Sequence, residues 1–193
     1  MNYEIIPEKT AIVNGVSTSC KELVDDYKNG FVLDYGFGKL RNSKYIKENN
    51  IPLDILDTKL QIDENYEKIN LLNIKNIYES KDSLKESYYS YILLSFVLNV
   101  VSDKNERVFI LNNIKQGLSK DGKVYIEVRN NSFVKNLKSK EEYNDGYIIG
   151  VNKKTFQKPY TEKDIVEFVK ENGFNVLKVK KTSGSIMLVC SKK

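Results

Sequence analysis

"FVLDYGFGKLRNSKYI" (residues 31–46) is an apolar run that closes on Asp34 and then on two glycines one residue apart, Gly36 and Gly38. "FVLD" is too short and too apolar for a helix, and its lack of polar alternation predicts a buried strand of a parallel sheet covered on both faces. The residues after it predict a helix over 42–50 that buries Tyr45 and Ile46. A turn between such a strand and such a helix, bare of Cβ atoms at Gly36 and Gly38, lets backbone approach a ligand closely.

The same alternation continues on both sides. Upstream, "STSCKELVDDYKNG" (residues 17–30) places Ser19 three residues before Glu22 as a capping box, with Cys20, Leu23, Val24 and Tyr27 on one helical face and Gly30 as the stop. Residues 1–16 carry Pro7 and Gly15 without a clear period and read as an extended arm. Downstream, strands are expected over 51–57 ("IPLDILD"), 71–78 ("LLNIKNIY") and 89–96 ("YSYILLSF"). A helix capped by Asp103, with Glu106 three residues on, buries Val108, Leu111, Ile114 and Leu118, and a fifth strand follows in "KVYIEVRN" (residues 123–130). Residues 131–159 read as a polar loop long enough to cover a substrate. "TEKDIVEFVKENGF" (residues 161–174) is a capped helix with Ile165, Phe168 and Val169 inward, and "NVLKVKKT" and "SGSIMLVCS" form a hairpin around Ser183 and Gly184. The expectation is one α/β domain over residues 1–193, with a mainly parallel seven-stranded sheet and an antiparallel edge hairpin.

Composition limits the chemistry. The chain has 193 residues and no histidine, which removes the usual general base, the Ser/His and Cys/His pairs and the commonest transition-metal ligand. Its two cysteines, Cys20 and Cys190, sit in apolar segments at opposite ends, so neither a disulfide framework nor a zinc spacing exists and no metal is expected. The net charge of +5 is spread along the chain apart from "KVKK" (residues 178–181) and the terminal lysines, a pattern compatible with a polyanionic partner without requiring one. Apolar runs such as "YILLSFVLNVV" fall short of the roughly 20 residues that span a bilayer, and no signal peptide is evident, so a soluble cytoplasmic protein without a membrane partner is expected.

The glycine turn has two acidic neighbours. Asp34, two positions before Gly36, is where a carboxylate would repel pyrophosphate, so a cationic ligand fits better there. Asp57, at the end of the next strand, lies at about the 20-residue separation at which an acid accepts hydrogen bonds from a ribose. A sulfonium or amine beside the turn and a ribose further out describe S-adenosylmethionine.

At these residues the chain resembles a family. "VLDYGFGKLRNSKYIKENNIPLDILD" looks like the first motif, helix and second strand of class I S-adenosylmethionine-dependent methyltransferases, and "YILLSFVLNVVSDKNERVFILNNIKQGLSKDGKVYIEVRN" resembles their fourth strand, helix and fifth strand. "KTAI" near the start and "TFQ" at residues 155–157 are similar to the small methyltransferases associated with phage genomes and DNA phosphorothioation. The resemblance implies a three-layer Rossmann-like methyltransferase fold and S-adenosyl-L-methionine as cofactor. It implies Asp34, Tyr35, Gly36 and Gly38 against the methionine part, Asp57 on the ribose, and Ser95 with Phe96 at the fourth strand tip. Two positions depart from the pattern: Leu40 stands where the third glycine is usual, and Phe37 where a small residue is common.

No "DPPY" or Pro-Cys motif occurs at "SFVLN" (residues 95–99), so the familiar base methylations gain no support. The acceptor is expected to be a small molecule or a nucleic acid, held by residues among Asn99, Glu127, Arg129, Tyr147 and Tyr160, with Arg129 and Tyr160 foremost and Lys153, Lys154 and Lys158 around the mouth if it is a nucleic acid. The rival readings are a catalytically silent methyltransferase fold that binds or regulates, a nucleic-acid-binding module using lysines and tyrosines, and a NAD enzyme. The last fits poorly because Leu40 and Arg41 interrupt G-x-G-x-x-G.

Overall fold

The computed structural model describes residues 4–12, 14–137, 139–150 and 155–193. Its helices are α1 (Thr18–Asp26), α2 (Arg41–Glu48), α3 (Lys59–Leu71), α4 (Lys104–Gly117), α5 (Asn131–Lys135) and α6 (Glu162–Glu171). Its strands are β1 (Val32–Tyr35), β2 (Leu53–Asp57), β3 (Ile77–Glu79), β4 (Tyr89–Ser95), β5 (Leu118–Arg129), β6 (Lys140–Tyr143), β7 (Gly146–Ile149), β8 (Thr155–Gln157), β9 (Phe174–Lys181) and β10 (Ser185–Lys192). Seven strands form one sheet in the order β3-β2-β1-β4-β5-β10-β9. Neighbours from β3 to β5 are parallel, and the β9–β10 hairpin adds the antiparallel edge. This is the expected mixed sheet, with the order reversing beside β1, where ligands bind in open α/β sheets.

Alternation along the strands sorts the core into two layers. Leu33 and Tyr35 of β1 join Ile110, Leu111 and Ile114 of α4 and Ile165 and Val169 of α6. Val32 faces the other way, with Cys20 and Leu23 of α1, Ile46 of α2 and Ile69 of α3. Each fully buried leucine or isoleucine here contributes about 1.5–3 kcal/mol. Both thiols are buried and burial pushes them up, Cys190 to about 12, so they are inert packing groups.

Several local expectations are corrected. The cap of α1 is Ser17, which accepts the Cys20 amide at 3.1 Å, and Ser19 instead donates its own amide to Glu127 Oε2 at 2.8 Å. That helix ends at Asp26 rather than at Gly30. The strand expected over 71–78 shrinks to β3, and Leu71 is the exposed end of α3. Residues 131–159 are no simple loop: they hold α5 and a second, antiparallel sheet, β6-β7-β8. Buried Arg107 clamps this unit by donating to Val101 O at 2.7 Å and pairing with Asp145. In the N-terminal arm, Pro7–Thr10 form a single 3-10 turn that packs on β8. Among the described residues no helix is long and apolar enough to cross a membrane.

Candidate functional site

A cavity of about 590 Å³ lies at the carboxyl ends of β1, β2, β4 and β5. Its middle is the glycine turn. Gly36 and Gly38 have φ of 78° and 57°, a left-handed backbone that disfavours any Cβ. A Cβ on Gly36 would stand 2.4 Å from Val97 Cγ2, and one on Gly38 3.2 Å from the Ala11 Cβ. The bare turn is thus approached by the loop after β4 and by the N-terminal arm.

The two departures from the usual glycine pattern have physical accounts. Leu40 keeps the left-handed conformation, φ 63° and ψ 15°, at the N-cap of α2, so the turn is retained without its third glycine. Its side chain is buried in the layer with Cys20 and Ile46 and does not line the cavity, while Phe37 packs in that same layer and also reaches the cavity wall.

The acidic pair separates. Asp34 does not line the cavity: it is 1% exposed on the face toward α2 and accepts Ser43 Oγ at 2.6 Å. Alternation along β1 sends it there, because its neighbours Leu33 and Tyr35 take the opposite face. Burial pushes its carboxyl up to about 7 against the pull of the Ser43 hydrogen bond. Asp57 does line the cavity and accepts the Gly38 amide at 2.7 Å and the Thr58 amide at 2.8 Å. Burial pushes it up to about 6, with the two amides opposing. An ionised carboxylate offers about four lone-pair positions, so two remain for further donors.

Ser95, Phe96 and Asn99 close the β4 side. Among the described residues the Ser95 hydroxyl and the Asn99 side-chain oxygen are buried with no partner, while Asn99 Nδ2 donates to Gln157 Oε1 at 3.0 Å. Phe96 holds φ at 61°, a left-handed position costly for a bulky residue. Its ring lies under the Arg129 guanidinium at 4.2 Å and near that of Arg41 at 5.5 Å. Among the described residues no cluster of His, Cys, Asp and Glu could hold a metal ion.

Of the residues expected to hold an acceptor, Asn99 and Arg129 line the cavity and Glu127, Tyr147 and Tyr160 do not. Tyr160 is a core residue whose hydroxyl donates to Leu98 O at 3.3 Å, so a place for it at the acceptor is corrected. Glu127 is buried and accepts the Ser19 amide and Ser185 Oγ. Lys158 pairs with Asp145 at 3.0 Å, and Lys153 and Lys154 lie outside the described residues. The wall also includes Pro7, Glu8, Thr10, Arg41, Phe133 and Gln157, none of which the sequence singled out as a contact. Arg41 alone carried a usable signal, as a cation in the first turn of the helix after the glycines.

Comparison with solved structures finds the same fold in chains that include S-adenosylmethionine-dependent methyltransferases. An S-adenosylmethionine-dependent methyltransferase from Clostridium acetobutylicum superposes with a TM-score of 0.69 at 11% identity, covering 89% of this chain and 88% of that one. A Pyrococcus horikoshii protein gives 0.75 at 15% identity over 91% and 88% of the two chains. The Burkholderia thailandensis 1,6-didemethyltoxoflavin-N1-methyltransferase, solved with its substrate and S-adenosylhomocysteine, gives 0.65 at 14% identity over 91% and 79%. No family model and no curated protein matches the sequence.

Proposed function

We propose that the chain binds S-adenosylmethionine and transfers its methyl group to an acceptor held at the β4 and β5 tips. The observation that carries this reading is Asp57: an acid at the tip of β2 that fastens the glycine turn and still has free lone pairs facing the cavity. Ser95 Oγ and Asn99 Oδ1 fit the same group, since they have no partner among the described residues and a buried polar atom left so costs about 1–3 kcal/mol unless a ligand supplies one.

When bound, the cofactor supplies an electrophilic methyl on a sulfonium, which needs alignment and dryness more than acid–base help. The chain provides those. Asp57 would accept from the ribose hydroxyls, Ser95 and Asn99 would meet polar atoms near the β4 tip, and Pro7–Thr10 with the β6-β7-β8 sheet would exclude water. A histidine-free chain suffices for such a reaction.

The close approach of Val97 and Ala11 to the glycines favours one alternative, a fold that holds the cofactor without turning it over. Turnover separates the two. Incubation of the chain with methyl-labelled S-adenosylmethionine and fractionated small metabolites or nucleic acid is expected to move label to one fraction, with S-adenosylhomocysteine formed in step. Cofactor binding without transfer to any fraction would select the silent fold.

A further inference from the structure

Among the described residues, four cationic side chains line the cavity: Lys39, Arg41, Lys81 and Arg129. Two are already neutralised, Lys39 by Glu64 at 2.6 Å and Lys81 by Glu79 at 2.8 Å. Among the described residues, Arg41 and Arg129 have no carboxylate partner within ion-pair distance. Arg41 donates to Gly15 O at 2.5 Å, and the Arg129 guanidinium lies over the rings of Phe96 and Phe133, each at 4.2 Å, with no side-chain hydrogen bond to a described residue. The nearby carboxylate, Glu127, is committed to the Ser19 amide and Ser185 Oγ. Burial lowers the pKa of both guanidiniums and, for Arg129, the charge of Arg41 lowers it further, while the buried Glu127 opposes this in both and Asp34 in Arg41. Two half-buried cations that repel each other are stabilised by an anion placed between them.

Strand order says which anion. From Asp57 at the β2 tip, a ligand crosses the glycine turn at β1 and reaches Ser95 at β4, and Arg129 stands one strand further on, at the end of β5. That position would lie beyond a cofactor seated on Asp57, on the side of an acceptor. The walls beside it, Phe96 and Phe133, are apolar and flat. Nucleic acid fits less well, because the described lysines lining this cavity, Lys39 and Lys81, are paired and its wall includes the arm turn and Gln157 of the small sheet.

We propose that Arg41 and Arg129 bind the carboxylate or phosphate of a small acceptor with a flat apolar body, an assignment that rests on the cofactor reading above. The guanidinium of Arg129, held by its two rings, grips the anion, and Arg41 is the second cation.

The test is calorimetric titration of the full chain, with and without saturating S-adenosylhomocysteine, using benzoate, phenyl phosphate and the neutral isostere benzamide. At least one anion is expected to bind saturably at low-millimolar concentration and about tenfold more tightly than benzamide. Which of the two wins separates a carboxylate acceptor from a phosphorylated one. Arg129→Gln should erase the preference and leave S-adenosylhomocysteine affinity within about twofold, while Arg129→Lys should keep part of it. Arg41→Gln, which leaves the ring stack in place, should weaken the anions in the same sense should Arg129→Gln fail to fold. Equal binding of benzamide, no binding of either anion, or loss of S-adenosylhomocysteine affinity in Arg129→Gln would overturn the assignment. Failure of the cofactor reading shows separately, as absence of S-adenosylhomocysteine binding in the unaltered chain, and the anion titration without it still reads the arginine pair.

Discussion

The amide of Gly38 donates to Asp57 Oδ2 at 2.7 Å, so the turn after β1 is fastened to the tip of β2 by the same carboxylate that faces the cavity. Asp57 is therefore both a ligand candidate and a structural tie. Asp57→Ala is expected to weaken S-adenosylhomocysteine binding and also to destabilise the ligand-free chain, by about 1.5–3 kcal/mol for a lost hydrogen bond to a charged group. Denaturant unfolding and calorimetry on the same variant check both halves. An unchanged midpoint would show the tie to be dispensable.

Stability of the ligand-free protein should fall as pH rises from about 4 to about 7, the reverse of ordinary acid denaturation. Asp34 and Asp57 are pushed up to about 7 and about 6, so in that window the folded state holds protons the unfolded state has released. No histidine competes in this range, and Glu106 at the exposed rim moves in the same direction with less weight. The melting temperature is expected to be higher near about pH 5.5 than near about pH 8, with most of the difference absent in Asp34→Asn. Cofactor affinity should run the other way, falling below about pH 6 as Asp57 takes a proton and loses acceptor capacity. A melting temperature that rises with pH through this window would contradict the burial of both acids.

Leu40→Gly tests what the missing glycine costs. Relief of the left-handed leucine is worth about 1–2 kcal/mol, and loss of a buried leucine side chain costs about 2.7–5 kcal/mol. The variant should be less stable by about 2 kcal/mol, a fall of roughly 4–8 °C in melting temperature. Its S-adenosylhomocysteine affinity should be unchanged, because Leu40 does not line the cavity. A gain in stability would mean that strain outweighs packing.

Gly36→Ala should destabilise by more than about 1 kcal/mol, since φ is 78° and the new Cβ would meet Val97 Cγ2 at 2.4 Å. Adding Val97→Ala should restore only the steric share. Full rescue would show that backbone conformation plays no part at this turn.

The central strands β1, β2 and β4 and the glycine turn were legible because a buried parallel strand leaves an unbroken apolar run and the turn leaves its glycines. Helix α3 was not, for a physical reason: its buried face is built from Gln61 and Asn65 as well as Ile69, so no apolar stripe marks it. Gln61 donates to Glu8 O and Asn65 to Gln61 O, polar contacts that a hydrophobic period does not register. The small sheet over 140–157 escaped because its strands are three or four residues long. At the site, Asp57 could be placed from spacing, whereas the direction of Asp34 depended on which face of β1 each residue takes. Phe133 and the arm turn reach the cavity only through tertiary packing and leave no local sign.

The most direct test of the account is calorimetric titration of the full chain with S-adenosylhomocysteine near neutral pH. Saturable heat with one site per chain is expected, together with about 2.7 kcal/mol of added stability at about 100 times the dissociation constant. No heat and no shift in melting temperature at millimolar ligand would contradict the central claim that the cavity around Asp57 is a cofactor site.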